Sequence, residues 1–249
     1  MRPSASASVD DRGSVNQAEV PTSGLVDRVM QDVNAFIRDN ELAPGAALPS
    51  EAAFAHKAGV SRPVVREAFR ALSVLKLIDV GNGRRARVSP AHERVVSLVI
   101  DHAVHTKQIT IQQILDVRRT IELRTAGLAA LRRSDREGAE IVEIAANMEA
   151  HFGWPERVME LDIAFHEAIA RASRNPLFLL LVGSFRTVTH QTWAIGWASR
   201  PTDESRRESV NGHALIAAAI AERDVKAAEN AMAAHFDLTV KALLNAGVN

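Results

Sequence analysis

Residues 59–72 read Gly-Val-Ser-Arg-Pro-Val-Val-Arg-Glu-Ala-Phe-Arg-Ala-Leu, and this run leaves the chain few choices. Gly59 allows a tight turn, Ser61 stands where a helix cap would, and Pro63 fits a first helical turn. Val65, Ala68, Phe69, Leu72 and Leu75 recur at helical spacing and are expected to be buried. Arg62, Arg66 and Arg70 repeat every fourth residue, so three guanidinium groups leave the opposite face together. Arginine is the side chain best shaped for bidentate bonds to phosphate and to guanine edges. A short helix with outward cations after a glycine turn is expected to be the second helix of a helix-turn-helix. The competing reading is a solvated face carrying an Arg66/Arg70 ladder.

The flanking sequence supports the first reading. Pro49-Ser50-Glu51 begins a preceding helix, with Ser50 as its cap and Glu51 at the positive end of the dipole. Val26, Val29, Met30, Val33, Phe36 and Ile37 set out an earlier helix over 25–39. Leu77–Val80 and Ala86–Val88, joined through Gly81-Asn82-Gly83, read as a hairpin. Three helices and a hairpin make a winged helix. Net charge over the chain is zero, yet residues 56–88 hold eight cations against two anions, a local balance of +6. Such a patch is the electrostatic footprint of a polyanion. Arg62 and Arg66 are expected at base edges and Arg70 at phosphate, with Asn82, Gly83 and Arg84 at the wing tip. The partner these features point to is double-stranded DNA.

Beyond Ser89-Pro90, a plausible hinge, the pattern is helical throughout. Helices are expected near 93–105, 111–133, 135–152, 155–172, 176–197, 205–222 and 225–245, a bundle of six or seven. The fold class is mainly α: a disordered tail over 1–23, a winged helix-turn-helix over 24–89, and an all-α bundle over 93–246. With 47% apolar residues, no cysteine and no apolar run of membrane-spanning length, the chain reads as cytoplasmic and without thiol chemistry.

The bundle carries one constellation with metal chemistry. Asp162 and His166 stand one turn apart and share a face. His213 and His235 lie on two later apolar helices. If those three helices meet, one carboxylate oxygen and three imidazole nitrogens converge, a set suited to Zn²⁺, Ni²⁺, Co²⁺ or Mn²⁺, with zinc the leading choice. Otherwise each is a lone core or interface histidine. Arg118 lies beside Ile114, Val117, Ile121 and Leu128, taken as the buried side of its helix; it either reaches inward or pairs with Glu122. Trp193 and Trp197 read as core or interface residues rather than a ligand-stacking surface. There is no nucleophile elbow and no phosphate-binding glycine loop.

These residues together resemble the GntR family of bacterial transcription regulators. The matching pieces are Leu42-x-Pro44-Gly45-x-x-Leu48-Pro49-Ser50-Glu51, then Gly59-Val60-Ser61-Arg62-x-x-Val65-Arg66-Glu67-Ala68, Leu72 and Gly83. Downstream, Arg118 with Glu122, Asp162-x-x-Phe165-His166, Ala172-Ser173-x-Asn175-Pro176, His213-x-x-Ile216 and Met232-x-x-His235 resemble the FCD ligand-binding domain of its FadR subfamily. The resemblance implies a homodimeric repressor, not an enzyme, whose helical domain binds a small carboxylate through a divalent metal. It places Asp162, His166, His213 and His235 as metal ligands, Arg118 on the effector carboxylate, and Arg62, Arg66, Asn82 and Gly83 on DNA. Ala52, Lys76 and the run Arg84-Arg85-Ala86 depart from the family pattern. A metal-free pocket and a bundle metalloenzyme are the alternatives.

Overall fold

The computed structural model describes residues 22–81 and 83–248, and these form two compact units dividing after Pro90. The first holds helices α1 (Thr22–Asp39), α2 (Glu51–Ala58) and α3 (Arg62–Val74), then strands β1 (Ile78–Asp79) and β2 (Arg87–Val88). Helix α1 begins at Thr22, inside the span expected to be tail; residues 1–21 lie outside the described residues. β1 and β2 pair antiparallel, Ile78 opposite Val88. Residues 45–48 add a third edge through Gly45 N–H to Val88 O (2.8 Å) and Leu48 N–H to Ala86 O (2.8 Å). Val29, Val33, Leu48, Val65, Leu72 and Ile78 are buried. Phe36, Phe54 and Phe69 meet edge to face in a row, with centroids 5.6 Å apart at each step.

Local chemistry sets the turns. Ser50 caps α2 by accepting from Ala53 N–H at 3.2 Å, and Gly59 ends it in the left-handed region at φ 65°. Ser61 occupies the cap position of α3 but makes no side-chain cap bond. Leu75 is 40% exposed rather than buried, because the helix ends one residue earlier. Lys76 then adopts φ 56°, a conformation that favours glycine.

The second unit is helical, and it has eight helices rather than six or seven: α4 (Arg94–His105), α5 (Ile111–Arg132), α6 (Asp135–Ala150), α7 (Pro155–Ala172), α8 (Pro176–Ser184), α9 (Arg186–Ala198), α10 (Asp203–Ala221) and α11 (Val225–Asn245). The extra helix comes from a break at Phe185 within the single helix expected over 176–197. There Ser184 Oγ donates to Leu181 O and Phe185 N–H turns back to Val182 O, tightening the chain into a short turn. Phe185 itself is buried. Reciprocal capping boxes open α5 (Thr110/Gln113), α6 (Ser134/Glu137) and α10 (Thr202/Ser205).

Helices α5, α6, α7, α10 and α11 enclose the core, where Ile141, Met148, Phe165, Ile169, Ile216, Ile220, Met232 and Phe236 are almost fully buried. Val117, expected on the core side, is 50% exposed instead, and Leu215 on α10 is 58% exposed. On α5 the buried stripe is Ile111, Ile114, Leu115, Glu122, Thr125, Ala126 and Ala129. Arg118 falls within that phase and Val117 just outside it. The core face of α5 thus carries two charged residues one turn apart.

Candidate functional site

In the first unit, Arg62, Arg66 and Arg70 are all exposed on α3. Arg66 Nε lies 3.3 Å from Glu51 Oε2 of α2, and Arg70 Nη1 lies 3.8 Å from Glu67. Arg62 makes no ion pair or side-chain hydrogen bond among the described residues. Exposed pairs of this kind contribute little, about 0–1 kcal/mol, and can be exchanged for phosphate at small cost. At the wing, Gly83 takes φ 69° and Arg84 N–H closes the turn onto Gly81 O at 3.2 Å. The Arg84 guanidinium folds over Gly81, 2.6 Å from where a Cβ would stand. Asn82 lies outside the described residues.

In the second unit, three helices bring four donors together. Asp162 and His166 project from α7, His213 from α10 and His235 from α11; all four are buried, and one ligand atom from each lies within 4.8 Å of the others. The imidazole centroids of His213 and His235 are 4.4 Å apart, those of His166 and His235 5.2 Å. Phe165 packs edge-on against His166 and His213 and screens them from the core.

Outer partners orient this set. His213 Nδ1 meets Ser209 O at 3.0 Å. A carbonyl only accepts, so Nδ1 carries the hydrogen and Nε2 presents a lone pair. Yet Nε2 faces Asp162 Oδ1 at 2.8 Å. Two acceptors at that distance require a second ring proton or a cation between them. Neither ring nitrogen of His235 makes a hydrogen bond to protein among the described residues, so its lone-pair nitrogen can serve as a donor atom. His166 Nδ1 lies against Glu122 Oε2, a contact not aligned as a hydrogen bond, leaving Nε2 for the cluster. Glu122 Oε1 accepts from Arg118 Nε at 2.8 Å, and Arg118 Nη1 donates to Thr189 Oγ1 at 2.9 Å. A carboxylate behind a ligating histidine fixes the tautomer and raises basicity.

The electrostatics follow from this packing. Burial acts to raise the Glu122 carboxyl, but the Arg118 charge and then His166 outweigh it and lower its pKa to about 2. Burial also opposes ionisation of Asp162, and the His213 bond and the surrounding imidazoles reverse this, holding it well below the usual carboxylate range. Burial would lower His166, but the Glu122 charge raises it. Burial, reinforced by His213 and His166, pushes His235 well below its ordinary value, which keeps the ring neutral.

Beside the cluster is a cavity of ≈ 60 Å³, bordered by Arg118, Thr189, Trp193, Trp197 and Arg200 as well as the four donors. The two indoles stack 4.9 Å apart at 14°, so they form one apolar wall of this cavity. Sequence reasoning left them as core or interface residues, and it missed Thr189, Arg200, the Ser209 carbonyl and the contact of Glu122 with His166. Glu122 had a signal: a carboxylate in the apolar phase of its helix needs a partner.

Comparison with known proteins agrees with this architecture. Residues 25–88 match "Bacterial regulatory proteins, gntR family", and residues 113–238 match the FCD domain. The chain is 30% identical to the HTH-type transcriptional regulator LutR of Bacillus subtilis over 80% of its own length and 92% of that protein. It is 28% identical to the galactonate operon transcriptional repressor of Escherichia coli, over 84% and 93% respectively. Among solved structures, Streptococcus agalactiae GntR superposes with a TM-score of 0.63 at 25% identity, covering 87% of this chain and 99% of that one. This chain belongs to the GntR family of bacterial regulatory proteins, with an FCD domain behind its helix-turn-helix. It is a transcription regulator and not an enzyme. No described helix is long and apolar enough to cross a membrane.

Proposed function

We propose that this chain is a metabolite-responsive repressor of the FadR type, acting in the cytoplasm as a homodimer. Two copies of α3 enter successive major grooves of a near-palindromic operator, Arg62 and Arg66 at base edges and Arg70 at phosphate, with Asn82, Gly83 and Arg84 at the wing. Asp162, His166, His213 and His235 would hold one divalent ion, zinc before nickel, cobalt or manganese. The ion would act as a Lewis acid toward carboxylate oxygens. Arg118, charged and set by Glu122 and Thr189, takes the carboxylate of a small organic or sugar acid; the galactonate repressor among the relatives supports this class.

The observation that carries the reading is the buried four-donor set itself, within which His213 Nε2 and Asp162 Oδ1 face each other. A metal-free pocket, with His213 doubly protonated against Asp162, is the second reading that same contact allows. Effector binding must favour one arrangement of the dimer's heads over another, since equal affinity for both would release nothing. A gel-shift titration with zinc-loaded and chelated protein, across a panel of carboxylic acids, tests it. Release by one class of acid only when metal is present supports the metal-dependent pocket; identical release after chelation returns the site to the metal-free reading.

A further inference from the structure

The cavity holds a second cation that the proposed carboxylate anchor does not use. Arg200 follows the end of α9, lines the same cavity as Asp162, His213 and Trp197, and is half-buried. Its Nη1 donates back to Gly196 O, one turn earlier on α9. Its other N–H groups have no protein partner among the described residues, and it forms no ion pair within 4.0 Å there. Asp162 and then Glu208 are the acids whose charge reaches it, neither as an ion pair; Glu208 is exposed and shares an outer cleft with Arg200, where water screens it.

Helix α9 acts as a ruler between the two guanidinium groups. Thr189 holds Arg118, and Gly196 holds Arg200. Seven residues separate these points, roughly 10 Å along the axis at 1.5 Å per residue, and both arginines line the one cavity. Trp193 lies between them. Charge points the same way. Glu122 neutralises Arg118 and a divalent ion exceeds Asp162 by one, so Arg200 brings the loaded pocket to about two positive charges.

We propose that Arg200 is a second anion anchor and that the effector is a small dicarboxylic acid of about three to five carbons. One carboxylate sits at the Arg118 end beside the donor cluster. The other sits at Arg200, with charge-assisted bonds of about 2.8 Å at each end and the carbon chain along the Trp193–Trp197 wall. This rests on the effector pocket proposed above and specifies what it selects.

The test is calorimetric titration of zinc-loaded full-length protein with malonate, succinate and glutarate, and with acetate, propionate and butyrate as matched single-charge probes. Wild-type protein, Arg200→Gln and Arg200→Lys are compared at fixed salt, with zinc content confirming an intact cluster. At least one diacid should bind wild type about tenfold or more tighter than its monoacid, the loss expected when a charge-assisted bond is absent. Arg200→Gln should erase that ratio while leaving monoacid affinity within about twofold, and Arg200→Lys should restore part of it. A ratio that survives Arg200→Gln, or monoacids that bind wild type as tightly as diacids, overturns the proposal alone. If no acid of either kind binds, this proposal and the carboxylate pocket fall together.

Discussion

At the scale of single residues, the chemistry depends on which side chains occupy the core phase of α5. Arg118 and Glu122 sit there, and Glu122 touches both Arg118 and His166. Replacing Glu122 with Gln keeps the shape and removes the charge behind the histidine. Zinc affinity, measured by chelator competition, should fall about 10–100-fold. Unchanged affinity would confine Glu122 to orienting Arg118. The Asp162–His166 spacing was readable from sequence because i,i+4 is fixed by the helix itself. The turn of α5 was not: Val117 was read as buried and Arg118 as its neighbour, when Val117 faces water. An apolar residue one step off the stripe shifts a hydrophobic pattern by about 100°, and only packing against α7 and α11 resolves it.

At the scale of elements, the departures from family pattern have physical consequences. Lys76 holds φ 56° at the entry to the hairpin, where a Cβ is strained. Lys76→Gly should stabilise the first unit by up to ~1 kcal/mol in urea unfolding, the relief exceeding glycine's entropic cost; a loss of stability would show that the Lys76 side chain has a compensating contact. The capping box of α6 gives a pH prediction. Glu137 accepts from Ser134 N–H at 2.8 Å, and this bond, opposed by burial, lowers its carboxyl below the ordinary value. A carboxyl depressed on folding stabilises above its unfolded pKa of about 4.3, and that contribution is lost as pH falls through the folded value. The stability gap between wild type and Glu137→Ala should therefore be about 1 kcal/mol at neutral pH and narrow below about pH 4; a gap constant with pH would remove the ionised cap from the account. On α3, Arg66→Ala should weaken operator binding by about 1–3 kcal/mol and relax specificity at the base pair it reads. Equal affinity at fixed salt would take Arg66 off the DNA face. Some caps and breakers were legible, Ser50 and Gly59 among them, but Ser61 makes no cap bond, and at Phe185 no proline or exposed glycine marks the break, where Ser184 Oγ donates to Leu181 O.

At the scale of the whole molecule, the proposal couples two ligands, operator and acid, each of which must shift the other's affinity by the same factor. The winged helix and the bundle were legible as separate blocks because composition changes sharply after Ser89-Pro90: clustered cations before it, apolar helical periods after it. The cavity was not, because Thr189, Arg200 and the Ser209 carbonyl carry no spacing that sets them apart from other polar residues. The claim beneath all of this is that the buried Asp162–His166–His213–His235 set holds a metal. Elemental analysis of full-length protein purified without an affinity tag tests it most directly. About one divalent ion per chain, lost in the His213→Ala/His235→Ala double variant while helix content persists, is the predicted result. A double variant that keeps its full metal complement would contradict it.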